Sequence, residues 1–471
     1  MSPGSYFSCR LVKNLNVVSR HNDTIVALAT PTGISAIAVV RLSGPEAISI
    51  VSTLFKGKDL RGEPGNTIHY GKLIEGDKIL DEVLVSLFRT PHSYTGEDSV
   101  EISCHGSPLI ATEVIKALIR QGARPAQAGE FTRRAFLNEK LDLTQAEGVA
   151  DLIHAENESA RLTAINQIKG GFSKELAMLR EKLISFVSLI ELELDFSEED
   201  VEFARRDELK AMIGGLLAKI DPLLESFDKG NVIRNGVRTV IAGKPNAGKS
   251  TLLNVLLNEE KAIVSDIPGT TRDVIEDVVH MGGLTLRFLD TAGLRSTTDP
   301  VEAIGVSKTK EQLKIASLIL YLVDATTVEK QQVAEEIKDV MSYKIPVLMI
   351  GSKADQATAE NIKWLGDQGF ICLSAKSGLK IDVLKDRIVS LFGDMSIRPN
   401  ETVVTNARHY AGLKATQEAL SRSLEGLSKK VSGDFLAQDL WEALHHLGEL
   451  TGSITSDDLL EQIFSRFCIG K

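Results

Sequence analysis

Cysteine is scarce in this sequence and never paired. The four cysteines of the 471-residue chain, Cys9, Cys104, Cys372 and Cys468, lie far apart, with no CxxC spacing and no accompanying pair of histidines. That pattern argues against a zinc site or a disulfide framework and fits a reducing compartment. Positive charge is not in excess either. With 54 Lys and Arg against 64 Asp and Glu, the formal charge is −10. No global field draws in nucleic acid or an anionic membrane, so any handling of RNA needs a local patch or a basic partner. No apolar run approaches the ~18–20 residues that cross a bilayer. Residues 1–22 carry Arg10, Lys13, Arg20 and His21 and no acid, but lack the continuous apolar core of a secretion signal. They are expected to be an N-terminal extension of a cytoplasmic protein without membrane association.

What is present is ordinary in bulk and specific in detail. A hydrophobic fraction of 43% and a charged fraction of 25% describe a soluble globular chain. Its length predicts about two to four domains. Residues 23–140 mix short β-rich runs (Ile25–Leu28, Ile37–Val40) with turn signals such as Pro31-Thr32-Gly33, the pattern of an α/β domain. Residues 141–234 turn helical, with proline-free stretches Gln145–Ile168 and Leu176–Leu194 keeping an apolar stripe. An acidic run from Glu191 to Glu208 reads as a solvated face. Residues 235–396 alternate strands and helices. The strand candidates are Arg238–Ala242, Leu284–Leu289, Leu318–Val323, Pro346–Ile350 and Phe370–Leu373, whose near-continuous apolar character fits a sheet covered on both faces. Residues 397–471 return to helix. The expected architecture is therefore multidomain α/β plus all-α, with an α/β nucleotide domain inserted into a discontinuous helical domain.

Residues 243–250, Gly-Lys-Pro-Asn-Ala-Gly-Lys-Ser, form a complete phosphate-binding loop between an apolar run and a helix-like segment starting at Thr251. Gly243 and Gly248 let backbone N–H groups, including those of Asn246 and Ala247, close around phosphates. Lys249 reaches the outer phosphates, and Ser250 offers a hydroxyl to Mg²⁺. Three further elements follow in the order of a guanine-nucleotide switch. Asp290-Thr291-Ala292-Gly293 supplies a carboxylate for Mg²⁺ through water and an N–H for the γ-phosphate. Ser352-Lys353-Ala354-Asp355 is similar to the base-reading N-K-x-D motif, and Ser374-Ala375-Lys376 completes the base pocket. A carboxylate at Asp355 accepts two hydrogen bonds from guanine that adenine cannot give, a mismatch that discriminates by roughly 10⁴ or more. Ser352 stands where the motif has Asn. Its shorter side chain is expected not to reach the phosphate loop or the base, leaving guanine selectivity to Asp355 and affinity modest.

Leu294 occupies the place where Ras-like proteins carry a water-orienting glutamine. Gly269-Thr270-Thr271-Arg272-Asp273 together with Asp290–Arg295 resembles the MnmE (TrmE) family of tRNA-modifying GTPases. The resemblance runs from Asp23 to Lys471, through Arg41-Leu42-Ser43-Gly44, Ser93–Asp98, Gly129–Asn138 and the terminal Phe467-Cys468-Ile469-Gly470-Lys471.

The resemblance implies GTP contacts through the loop and through Ser265, Asp266, Ile267, Pro268, Gly269, Thr270 and Thr271. It implies Mg²⁺ at Ser250 and Thr271. It implies K⁺ held by the Asn246 side chain and the backbone of Ser265, Ile267 and Thr270, in place of an arginine finger. The water-orienting glutamate falls on Glu302, although Asp299-Pro300-Val301-Glu302 reads equally as a helix-capping box. Residues 23–140 become a dimerisation domain binding a tetrahydrofolate derivative (5-formyl or 5,10-methylene) through Arg41, Glu101, Lys140 and Lys471. Cys468 is either a nucleophile toward a pyrimidine ring or a small buried residue behind Phe464 and Phe467. Implied partners are GTP/GDP, a second copy in a homodimer, tRNA and an FAD-dependent MnmG-like protein in a heterotetramer. The implied outcome is substitution of the wobble uridine at C5. The alternative is a ribosome-assembly switch of the Era/Der kind, which has no use for the folate-linked residues or the terminal Cys-Ile-Gly-Lys.

Overall fold

The computed structural model describes residues 23–195, 206–259, 277–289, 316–393, 397, 401–429, 431, 433–465 and 467–470. The chain divides into two compact units, Met1–Ala150 with Gly448–Lys471, and Asp151–Leu447.

The first unit is built on seven strands: β1 Ile25–Leu28, β2 Ile37–Ser43, β3 Phe55–Lys56, β4 Thr67–Glu75, β5 Lys78–Phe88, β6 Ser99–His105 and β7 Arg124–Pro125. They pair in the order β3-β4-β5-β6-β2-β1-β7, antiparallel except for β1 with β7. Period-two alternation sets the faces. In β6, Val100, Ile102 and Cys104 are buried, while Glu101 and Ser103 between them stay half-buried. The buried set packs with Ile48 and Val51 of helix Ala47–Leu54 and with Val114 and Leu118 of helix Pro108–Arg120.

Helix Leu143–Ile153 starts on a reciprocal capping box. The Gln145 amide donates to Asp142 Oδ1 at 2.8 Å, and the Asp142 amide donates to Gln145 Oε1 at 2.9 Å. Helix Asp457–Phe464 opens on Ser456, whose Oγ accepts from the Leu459 amide, with Asp457 and Asp458 in its first turn. The two helices share a small core of Leu143, Ala146, Leu460, Ile463 and Phe464. The terminal segment then folds onto the same unit. Ile469 bridges Ala128, and a Cβ on Gly470 would lie 2.4 Å from the Leu28 carbonyl oxygen, so only glycine lets the chain run this close to β1.

In the second unit β8 Val237–Gly243, β9 Asp277–Met281, β10 Leu284–Phe288, β11 Leu318–Asp324, β12 Val347–Ser352 and β13 Ile371–Cys372 form a sheet in the order β13-β12-β11-β8-β10-β9. All neighbours are parallel except β9 with β10. The five strands read from the sequence are present. β9 escaped that reading because its pattern is that of an edge, with only Val279 and Met281 buried and Asp277 and His280 between solvent and sheet.

The helical part also differs from expectation in one place. Gln145–Ile168 is not one helix, because the chain breaks at 154–157 and restarts at helix Glu158–Ile168. Asn157 enforces the restart, its side chain accepting from the Ala160 amide at 2.8 Å. Helix Ala407–Ser428 lies on helix Arg206–Asn235 through a Phe227–Tyr410 ring stack at 4.5 Å and a Gln417–Asp221 hydrogen bond of 2.6 Å. A Cβ on Gly230 would lie 2.1 Å from the Val404 carbonyl oxygen, so the close approach depends on that glycine. Among the described residues, no helix is long and apolar enough to cross a membrane.

Candidate functional site

The parallel strands place the carboxyl ends of β8, β11 and β12 on one edge of the sheet, and chain order reverses between β8 and β11. This is where open α/β sheets bind ligands. The phosphate loop leaves β8 at Gly243, whose φ is 140°, and opens helix Lys249–Glu259. Ala247 is buried, Asn246 and Thr251 are exposed, and Gly248, Lys249 and Ser250 are half-buried. Asn246 adopts a left-handed φ of 63°. Its side chain makes no hydrogen bond among the described residues. Lys249 Nζ donates to the carbonyls of Gly243 at 2.8 Å and Lys244 at 2.7 Å, and burial holds its ammonium below the usual lysine range. The ammonium therefore sits inside the curl of its own loop.

Two further loops converge on this edge. Ser352, at the end of β12, is buried, and its Oγ donates to the Ala247 carbonyl at 2.6 Å, with the Val323 carbonyl at 3.2 Å. The expectation that this short side chain fails to reach the phosphate loop is thus corrected: the strand end approaches closely enough for a hydroxyl to make the contact. Lys353 pairs with Asp324 at 2.6 Å. Burial works against the Asp324 anion, but Lys353 and the hydroxyl and amide of Thr326 outweigh it and hold the carboxyl below the ordinary aspartate value. Asp355 is exposed, and the Ser374 side chain, with Gln356 and Lys376 adding smaller effects, keeps its carboxyl low and ionised. The Ala354 amide donates to the Leu373 carbonyl at 3.0 Å, which joins the Ser352–Asp355 loop to the Ser374-Ala375-Lys376 loop. An ionised, exposed carboxylate flanked by Ser374 and Lys376 can accept two N–H groups from a purine edge. Sequence reading missed Asp324. Its signal was a carboxylate at the carboxyl end of a buried parallel strand.

The first unit assembles a second constellation. Arg41 and Glu101 are direct cross-strand partners in the β2–β6 register. Arg41 Nε and Nη2 both donate to Glu101 Oε1, at 2.9 and 2.7 Å, leaving Oε2 without a protein partner among the described residues. Arg41 Nη1 donates to the Gly470 carbonyl at 3.3 Å, which ties the terminal segment to the pair. The guanidinium lies 5.8 Å from the Tyr94 ring centroid and 5.7 Å from that of Phe131, within cation–π range. Lys140 Nζ donates to the Pro91 carbonyl at 3.1 Å, and Asn138 donates to the Thr95 carbonyl at 2.8 Å, so both hold the loop that carries Tyr94. Tyr94, Phe131 and Asn138 lie in the stretches that carry the family resemblance, yet their own part was not read from sequence. An aromatic residue's role depends on which charge lies beside it. Cys468 is exposed, which removes the buried reading of its side chain.

Ser265, Asp266, Ile267, Pro268, Gly269, Thr270, Thr271, Asp290, Thr291, Ala292, Gly293, Glu302 and Lys471 lie outside the described residues.

Residues 143–468 match the model of the MnmE helical domain, and residues 24–140 match that of the GTP-binding protein TrmE N-terminus. The chain is similar to the tRNA modification GTPase MnmE of Cytophaga hutchinsonii, at 51% identity over 460 residues, covering 96% of this chain and 99% of the relative. The same-named protein of Christiangramia forsetii is 50% identical over 471 residues, with 96% and 99% covered. That of Flavobacterium psychrophilum is 48% identical over 461 residues, with 96% and 100% covered. With identity of this level along nearly the whole length, the chain belongs to the MnmE family of tRNA modification GTPases.

Proposed function

We propose that this chain is a potassium-dependent GTPase that modifies the wobble uridine of tRNAs at C5, together with an FAD-dependent MnmG-like partner and a folate one-carbon unit. The observation that carries the reading is the Arg41–Glu101 register pair closed by the Gly470 carbonyl. A ribosome-assembly switch needs the nucleotide loops but not this second, carboxylate-bearing cluster, in which β2, β6 and the C-terminal segment meet.

Each residue has a role within that reading. Lys249 and the loop amides bind the phosphates, and Asp355, kept ionised beside Ser374, reads guanine. The oxygen donors Ser250 and Thr271 suit Mg²⁺. The exposed Asn246 amide, without a hydrogen-bond partner among the described residues, suits a K⁺ ligand, with Ser265, Ile267 and Thr270 adding backbone oxygens. A cation held by these oxygens would supply positive charge against the charge that develops on the phosphates during hydrolysis. Glu302 orients the attacking water. Glu101, with Oε2 available, pairs with the amino-pyrimidine edge of a pterin, while Lys140 and Lys471 meet the folate's carboxylates. Arg41 orients Glu101 rather than standing free. Cys468, whose thiol is exposed, serves in this reading as the nucleophile toward the pyrimidine. The G domain interrupts the helical domain at 235–396, and the protein works in the cytoplasm as a homodimer whose nucleotide cycle brings domains together and apart.

Nucleoside mass spectrometry of tRNA from cells lacking the protein tests the reading. Loss of 5-substituted wobble uridine is expected, and an intact level sinks it. GTP hydrolysis is expected to be fast in K⁺ and slow in Na⁺, with Asn246→Ala abolishing the difference. Equal native rates in the two salts would remove the potassium step alone.

A further inference from the structure

The base-reading loop and the phosphate loop are joined by one small side chain. Ser352 is 4% exposed, and its hydroxyl has a single proton to give. The shorter contact is to the Ala247 carbonyl at 2.6 Å and the longer to the Val323 carbonyl at 3.2 Å. Those two carbonyls belong to the phosphate loop and to the end of β11, so the hydroxyl joins the ends of β11 and β12 to the phosphate loop. Ser352 also lies against the loop's second glycine, since a Cβ on Gly248 would be 3.7 Å from Ser352 Cβ and Oγ. Three residues further on, Asp355 carries the base-reading carboxylate, and the intervening Lys353 is anchored to Asp324. The rest of this loop is held by its own contacts, and among its described residues Ser352 is the one whose side chain hydrogen-bonds to the phosphate loop.

We propose that Ser352 is a positioning residue that reads no base: its hydroxyl pins the phosphate loop at Ala247 and so sets how fast guanine nucleotide leaves. The inference rests on the GTPase reading above. Its physical content is a division of labour. A hydroxyl spent on a buried carbonyl has no donor left for the base, so selectivity belongs to Asp355 while residence time depends on Ser352. Losing the bond leaves the Ala247 carbonyl without its closest side-chain donor and frees the loop to open.

The test compares the native protein with Ser352→Ala, using fluorescent GDP and IDP analogues in stopped flow with the full chain. Inosine lacks the 2-amino group, so the ratio of GDP to IDP release reports on Asp355 alone. Release of both analogues is expected to accelerate by about 3- to 10-fold in the same proportion, the range for one net hydrogen bond. The GDP-to-IDP ratio should be unchanged and the melting temperature close to native. Unchanged GDP release overturns the proposal. So does a collapsed GDP-to-IDP ratio, because Ser352 would then shape the base pocket. Failure of the native protein to bind either analogue sinks the GTPase reading instead.

Discussion

The two sheets of this protein solve the same problem with opposite chemistry. The antiparallel sheet of β1–β7 has one face under helices and carries its candidate ligand groups on the strands themselves, where Arg41 faces Glu101 across a fixed register. The mostly parallel sheet of β8–β13 buries its strands and carries its candidate groups on the loops at their carboxyl ends. Position is therefore secured by register and ion pairs in the first case, and by close backbone approach in the second. The difference shows in what each would lose first. The first unit depends on Arg134, 2% exposed, which joins Asp23, Glu97 and Glu130 while Arg124 shares two of those carboxylates. The second depends on Gly243, where a Cβ would meet the Leu322 carbonyl oxygen at 2.3 Å.

The largest effect is expected at Arg134. Replacement by Ala leaves the buried Glu130 and the partly exposed Asp23 and Glu97 short of a partner and is expected to cost about 3–5 kcal/mol, the usual range for breaking a buried pair such as Arg134–Glu130. Urea unfolding followed on the first unit measures it. Retention of GDP binding in the same variant would show that the two sheets are secured separately.

Gly243→Ala is the matching break in the other sheet. Strain at a left-handed position of this kind costs about 1–3 kcal/mol, and the clash with the Leu322 carbonyl of β11 falls where the phosphate loop begins. GDP affinity, measured by fluorescence, should drop by more than tenfold while urea unfolding of the first unit stays native. A normal affinity would mean that the loop tolerates a shift of β8 against β11.

Acid separates the two more gently. Burial works against the Asp23 and Glu130 anions, but their arginines, with the Gln127 amide for Glu130, hold both folded values below the ordinary 3.8 and 4.5. A depressed folded value means the stabilisation is complete above those ordinary values and is lost as the pH falls through the folded ones. The first unit should keep its full stability from neutral pH down to about 5 and lose it progressively below about 4. Near its nucleotide loops the second unit has two such groups among the described residues, Asp324 and the exposed Asp355, neither as buried as Glu130, so a smaller acid loss is expected there. Tryptophan emission, with both indoles in the second unit at Trp364 and Trp441, and domain-resolved hydrogen exchange would distinguish the two.

Much of this was legible in the chain. The phosphate loop, the five apolar strands and the base-reading carboxylate follow from glycine spacing and from runs with period one or two, which are local properties. β9 was not legible because an edge strand buries only every second residue over a short span. The break at 154–157 was not legible because apolar spacing continues across it and only a capping side chain marks the restart.

The sequence alone determined the residue types at each site: a lysine and a serine after the loop glycines, a carboxylate three residues beyond Ser352, an arginine in β2 and a glutamate in β6. Their pairing was decided only by tertiary structure. Arg41 and Glu101 are 60 residues apart and Arg41 and Gly470 are 429 apart, and the sheet register and the returning C-terminal segment brought them together. Ser352 gives the sharpest case. Its side-chain length argued against a contact with the phosphate loop, yet the hydroxyl reaches Ala247 because reach is the sum of side-chain length and backbone separation. Only the first of those is written in the sequence.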